Sequence, residues 1–398
     1  MKNGEDFTLI SSKKLNDNLK PYVDYRFKII YTIGILSVIA SHLVGKGSIE
    51  LNIQGWFNYN TFHMPLFMFS AGYFFKNKNV NYAWIYIKKK FNKLIIPIYM
   101  YNFCYGLYNN LLKNFGFKNN ISSFNFKKLF ISPLYGSGFR NISPAWFSSS
   151  LFFVEVYNII KRKSLFLLNK MPNESVYLLF DFFISYSSVN LSNKGYNKFT
   201  SYMILLRCAH LNIYYELGIF YNKYLEQFFI KIRNDFYFFI IFFLKLMFHI
   251  YYGHSPSFYY GISEFYNYSP FTVIIISILG ILFWMRISEI LEPNLGKSFY
   301  VNIIADNTFS IMLNHIFAID LVKIIFAFIS IKTKYCRNFD FKRFYSFDIS
   351  YIFLPNNILQ IGIIYFLSSI FIPILIQKFV NKIKKLFNFI SNKVQMMI

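Results

Sequence analysis

Two histidines stand at the ends of neighbouring apolar stretches. His42 lies near the far end of an apolar helix that begins about Tyr25, and His63 opens the run Phe62-His63-Met64-Pro65-Leu66-Phe67-Met68-Phe69-Ser70-Ala71-Gly72-Tyr73. Imidazole is costly to hold at membrane depth, so its presence there is a reason to look for chemistry. On an ideal helix Tyr31 lies about 20° and Lys28 about 40° from His42, which puts the three on one stripe with Ile35 and Ile39 and turns Ser41 away. A neutral imidazole, with an ordinary pKa of about 6.5, can take a proton from a hydroxyl as a general base. A histidine bonded to a neighbouring carbonyl or resting in the headgroup zone accounts for the same position without chemistry. His63 precedes Pro65, which lacks a backbone donor and can free a carbonyl one turn back, so a capping role is open to it. Ala71-Gly72-Tyr73 supplies the small residues at which two helices can approach closely.

Other polar residues fall inside apolar stretches. Arg207 and His210 are three apart and share a helix face, with Glu216 following, and both a structural ion pair and a functional site fit that pattern. Lys88, Lys89, Lys90 and Lys93 crowd the start of a span, where they serve either as a topology signal or as an anchor for the phosphates of a cytoplasmic donor. Glu155, Asp181, Asp306, Asp320 and Lys245 lie in or near spans without forming a carboxylate dyad or a metal-ligand spacing. Cys104, Cys208 and Cys336 are far apart, so no zinc site or disulfide framework is expected. No Walker or GxGxxG sequence supports nucleotide hydrolysis.

These residues need a frame, and the composition indicates its kind. Of 398 residues 55% are apolar and 22% aromatic, too apolar for a soluble globule of this length. The formal charge of +24 comes from Lys and Arg that punctuate apolar runs without forming a stripe, so the basic balance points to membrane lipids and away from nucleic acid. An all-α, polytopic bundle of about ten transmembrane helices follows. Spans are expected near 27–45, 61–76, 93–113, 145–160, 174–190, 201–221, 235–252, 270–288, 298–330 and 351–378. The ninth is long for one crossing and carries Asp306, His315, Asp320 and Lys323, which suits a broken or tilted helix.

The cationic connections place both termini in the cytoplasm, with Lys13, Lys14 and Lys20, then Lys76 and Lys78, then Lys161, Arg162 and Lys163, then Lys378, Lys382, Lys384 and Lys385 on the inner side. The stretches Lys113 to Arg140 and Lys332 to Arg343 run against that rule. Residues 1–26 read as a cytoplasmic tail without a cleavable leader, 27–378 as one membrane domain, and 379–398 as a basic amphipathic tail.

Six segments in order resemble the membrane acyltransferases known as acyltransferase family 3, in its fucose 4-O-acetylase-like branch. They are Ile29 to Leu43 with His42, Phe62 to Tyr73, Lys88 to Tyr99, Ala145-Trp146-Phe147 to Phe152, Arg207 with Tyr214 to Phe220, and Asn307-Thr308-Phe309-Ser310 to His315. The resemblance implies about ten helices and transfer of an acyl group, commonly from acetyl-CoA, to a hydroxyl of a cell-surface or lipid-linked glycan across the plasma membrane, with no metal. It assigns His42 as general base or transient acyl carrier, Arg207 as oxyanion stabiliser and His63 as a further catalytic candidate. Lys28, Tyr31, Lys88, Lys89, Lys90 and Lys93 would hold the donor, and His210, Trp146, Asn307 and His315 are acceptor-site candidates. Two departures stand out: Tyr31 and Lys28 occupy places where the family usually has a cation and an Asp, and Ala71 replaces a Ser. A transporter or flippase of lipid-linked sugar, and a silent relative acting in glycan assembly, are the alternatives.

Overall fold

The computed structural model describes residues 23–43, 55–117, 124–168, 170, 172–333, 339–353 and 359–395. Lys13, Lys14, Lys20, Cys336 and residues 396–398 lie outside them. Among the described residues the chain is all-α, with one isolated bridge between Tyr259 and Glu264.

Among the described residues helix occupies most of each stretch that the apolar runs mark. The helices are α1 (Tyr25–His42), α2 (His63–Tyr73), α3 (Ala83–Lys90), α4 (Ile96–Asn114), α5 (Trp146–Leu167), α6 (Glu174–Asn193), α7 (Thr200–Phe220), α8 (Asn234–Tyr252), α9 (Pro270–Leu295), α10 (Phe299–Asp306), α11 (Thr308–Lys332) and α12 (Leu359–Gln395). Four are long and apolar enough to cross a membrane by length and composition: α8, α9, α11 and the Ile361–Leu386 part of α12. Of these, α9 and α11 are mostly buried at the centre of the bundle, whereas α8 turns most of its surface outward.

Local chemistry sets the helix ends. Asp24 caps α1 by accepting from the Arg26 backbone N–H at 3.1 Å. Ser269 does the same for α9 toward Thr272 at 3.2 Å, with Pro270 in the first turn, where its missing N–H costs nothing. Gly253 closes α8 at φ 71°, in the left-handed region. Between α3 and α4 a π-type turn at Phe91–Ile95 absorbs the break that Pro97 imposes. The expected irregularity in the ninth stretch is a joint at Asn307, which separates α10 from α11. At the other end α12 runs on without interruption past residue 378, so the basic tail begins as a continuation of the same helix.

α2 and α7 cross with backbones in contact. A Cβ on Gly72 would sit 1.9 Å from the Tyr215 carbonyl oxygen, and one on Gly218 would sit 2.1 Å from that of Phe69. Each glycine lets the opposite helix in, the close approach the small residues promise. α6 also packs along α7, α1 lies against α9, α10 and α11, and α12 covers α11. The arrangement brings the His42 end of α1, the His63 end of α2 and the Trp146 end of α5 to one end of the bundle.

Candidate functional site

His42 is the last residue of α1, and it lines a cavity of about 250 Å³ together with His63, Met64, Trp146, Met312 and the segment 258–262. Ser41 also reaches this wall, although the ideal helical projection turns it away. The His42 ring lies 5.0 Å from that of His315, centroid to centroid, and 6.0 Å from Phe353. Four of the residues singled out in the sequence, His42, His63, His315 and Trp146, are thus gathered at or beside one cavity.

Hydrogen bonds fix how two of the rings present themselves. His63 Nδ1 donates to the Tyr59 carbonyl, so the neutral ring keeps the lone pair on Nε2, while the Thr61 carbonyl four residues before Pro65 accepts instead from Tyr260. His315 Nδ1 donates to the carbonyls of Ile311 at 2.9 Å and Met312 at 3.0 Å, and its Nε2 is buried without a protein partner. Both rings therefore offer acceptor nitrogens rather than donors.

Arg207 sits one layer behind. Its guanidinium carbon is 4.8 Å from the Trp146 ring, and Nη2 donates to the Gly261 carbonyl. Trp146 and Gly261 both line the cavity, whereas Arg207 itself is 2% exposed and reaches it only through them. Nε and Nη1 have no protein partner. Every other described arginine meets a carboxylate: Arg26 with Asp24, Arg140 with Asp320, Arg162 with Glu174, Arg233 with Asp235, Arg286 with Glu289 and Arg343 with Asp348. A cation–π contact is worth about 0.5–2 kcal/mol. Removing a guanidinium from water costs several kcal/mol, so that contact alone does not balance it.

Three of the sequence candidates stand elsewhere. His210 is fully buried with both ring nitrogens engaged, Nδ1 with Ser185 Oγ at 2.8 Å and Nε2 with the Tyr214 hydroxyl at 3.2 Å. Its ring stacks on Tyr260 at 5.5 Å, so it braces the cavity wall and is not positioned to meet an acceptor. Asn307 belongs to the α10–α11 joint, where Nδ2 donates to the Ile303 carbonyl at 2.7 Å, about two helical turns from His315. Glu216, expected near Arg207, instead joins Lys161 at 2.9 Å and Arg162 at 2.7 Å.

The donor-side candidates divide. Lys88, Lys89 and Lys93 are exposed, but Lys90 is paired with Glu155, which is 1% exposed. Lys28 pairs with Asp306 at the joint, and Tyr31 stacks on Phe67 with centroids 6.2 Å apart. Lys28 lies fourteen residues before His42, about 21 Å along α1. No group of His, Cys, Asp and Glu among the described residues could hold a metal ion.

The segment 258–262 is the contribution that the sequence left unmarked. Tyr260 donates to the Thr61 carbonyl at 3.1 Å and ties this loop to the start of α2. Ser263, Tyr266 and Asn267 hold positive φ beside it, the one local sign that its course is constrained. A larger cavity of about 580 Å³ among α5, α6 and α7 is lined almost entirely by apolar residues such as Phe153, Ile204 and Leu205, and it lacks this clustering of imidazoles.

Compared with known protein families, curated proteins and solved structures, the chain finds no match.

Proposed function

We propose that this chain is an integral-membrane O-acyltransferase that moves an acyl group, acetyl in the simplest case, from acyl-CoA to a hydroxyl of a surface or lipid-linked glycan. The observation that carries the proposal is the convergence of His42, His63 and Trp146 on one cavity, with His315 against His42. The six segments that resemble the acyltransferase family support it independently.

In the proposed reaction His42 removes the proton from the acceptor hydroxyl as its oxygen attacks the thioester carbonyl. Collapse of the tetrahedral species expels the CoA thiolate, which takes the proton from His42. The positive charge of Arg207 behind Trp146 favours negative charge at that end of the cavity. Exposed Lys88, Lys89 and Lys93 would hold the donor phosphates at the opposite end of the bundle, and the donor arm would extend along α1 past Tyr31. Lys28 and Lys90 serve mainly as ion-pair partners in this scheme.

The helices beyond the four apolar ones complete about ten crossings, with both termini in the cytoplasm of a cell whose plasma membrane holds the protein. The transporter alternative draws on Arg207, Glu216 and Asp306 as charges along a path; Glu216 and Asp306 are held in ion pairs, Arg207 is not, and the alternative leaves the pairing of His42 and His63 at one cavity unexplained. The test supplies labelled acetyl-CoA to membranes containing the chain. Label in glycan that disappears with His42→Ala, at equal expression, is the expected result; label transfer unchanged by that substitution would remove His42 from the mechanism.

A further inference from the structure

We propose that Arg207 is an anion-recognition site and that the group it receives is an acidic substituent, carboxylate or phosphate, on the acceptor. The ligand's identity as acceptor rests on the acyltransferase reading; the anion site itself rests on geometry.

The argument begins with charge. Arg207 is 2% exposed, and no carboxylate among the described residues pairs with it, whereas every other described arginine has one. Lys245 is also buried without a carboxylate, with Nζ donating to the Trp56 carbonyl at 2.7 Å. A buried lysine can shed its proton, but arginine cannot, so the guanidinium remains a cation wherever it is placed. Its Nε and Nη1 both lack protein partners. Nη2 already serves the Gly261 carbonyl, so the Nε–Nη2 edge that Arg26 and Arg233 give their carboxylates is half taken, and the open Nε–H and Nη1–H groups lie on different edges of the fork, each able to receive an oxygen of a carboxylate or phosphate.

Position supplies the second part. Among the described residues the guanidinium touches two pieces of the cavity wall and nothing acidic: the face of Trp146, and the carbonyl of Gly261. Trp146 is half-buried and forms the cover between cavity and cation. A Cβ on Gly261 would meet the Trp146 indole nitrogen at 3.2 Å, so wall and cover are already in contact and bulk added there presses on the indole. With the Trp146 indole turned aside, an acidic group beside the reacting hydroxyl would reach Arg207 and neutralise it, with the hydroxyl left toward His42 and His63. A neutral sugar could not complete the site.

The experiment measures binding, not turnover, on the full chain in detergent carrying His42→Ala. Inorganic phosphate, glucose 6-phosphate, glucuronate and glucose are titrated at constant ionic strength, and the melting temperature is followed. The expected result is a saturable upward shift with the acidic compounds and none with glucose, weakened at least about tenfold by Arg207→Gln and partly restored by Arg207→Lys. A stronger response to the phosphates assigns a phosphorylated acceptor, and a stronger response to glucuronate assigns a uronic acid. Equal shifts for glucose and glucuronate, or anion binding unchanged by Arg207→Gln, would overturn the site. Arg207-dependent binding in a protein that transfers no acetyl label would retain the anion site while removing the acyltransferase reading.

Discussion

The Arg162 network and the surroundings of Arg207 treat buried charge in opposite ways. At the end where α5 finishes and α6 begins, Arg162 bridges Glu174 at 2.8 Å and Glu216 at 2.7 Å, Lys161 bridges Asp181 at 2.6 Å, and Lys223 joins Glu174. Nearby, Arg26 gathers Asp24, Glu226 and Glu289, with the Tyr73 hydroxyl also donating to Glu226. Beside the histidine cavity the Arg207 guanidinium rests on an indole and a carbonyl with no carboxylate among the described residues, while Arg140, in the turn before Trp146, keeps Asp320. Networks closed within the chain hold helices together; an open one leaves a valence for something that arrives. The contrast separates charges that build the fold from the charge best placed to read a substrate.

The sharpest way to break this comparison is at Arg162. Its replacement by Ala leaves Glu174 and Glu216 buried without their shared cation, at an expected cost of about 3–5 kcal/mol. A large fall in melting temperature or loss of monodisperse protein in detergent is the outcome, and adding Glu216→Ala should recover part of it. A melt unchanged by the single substitution would mean that the network contributes little.

His42→Ala is expected to lower acyl transfer by about a hundredfold or more, the usual contribution of a general base, with the melt unmoved. Transfer of label and thermal stability measured on the same preparation separate chemistry from folding. Arg207→Gln should act with the opposite sign to Arg162→Ala: removing an unpaired buried cation raises stability or leaves it level, while it abolishes selection for acidic acceptors. A destabilised Arg207→Gln protein would place this arginine with the structural set.

The smallest effects belong to the exposed lysines. Neutralising Lys88, Lys89 and Lys93 together should raise KM for acyl-CoA several-fold, with kcat little changed, because exposed cations contribute modestly and are screened by salt. Lys90→Ala should instead lower stability, since it strands Glu155. A steady-state comparison of the two variants, with melts alongside, resolves that difference.

Much of the frame was legible in the residues. Long apolar runs between cations mark helices because backbone groups removed from water must be bonded within the segment. The Asn307 joint was foreshadowed by the length and charge of its stretch, and the close crossing at Gly72 by the small residues around it. Charge partners were far less legible. Sequence proximity put Glu216 beside Arg207, but the two are nine residues apart on α7, more than two turns, and the α5 cations reach Glu216 first. Lys90 looked like one member of a uniform cluster because nothing local shows that Glu155 of α5 waits beneath it. The 258–262 wall had no signal, since a loop's contribution depends on where its two flanking helices end.

The order of residues alone determined that this is a helical, strongly apolar chain with imidazoles at helix ends, because hydropathy and helical period act over distances of one or two turns. Only the tertiary packing decided that His42, His63, His315 and Trp146 meet around one cavity, and which cations keep a carboxylate. Those outcomes depend on contacts between helices distant in the chain, where the closeness of two backbones, as at Gly72 and Gly218, sets which side chains come within reach.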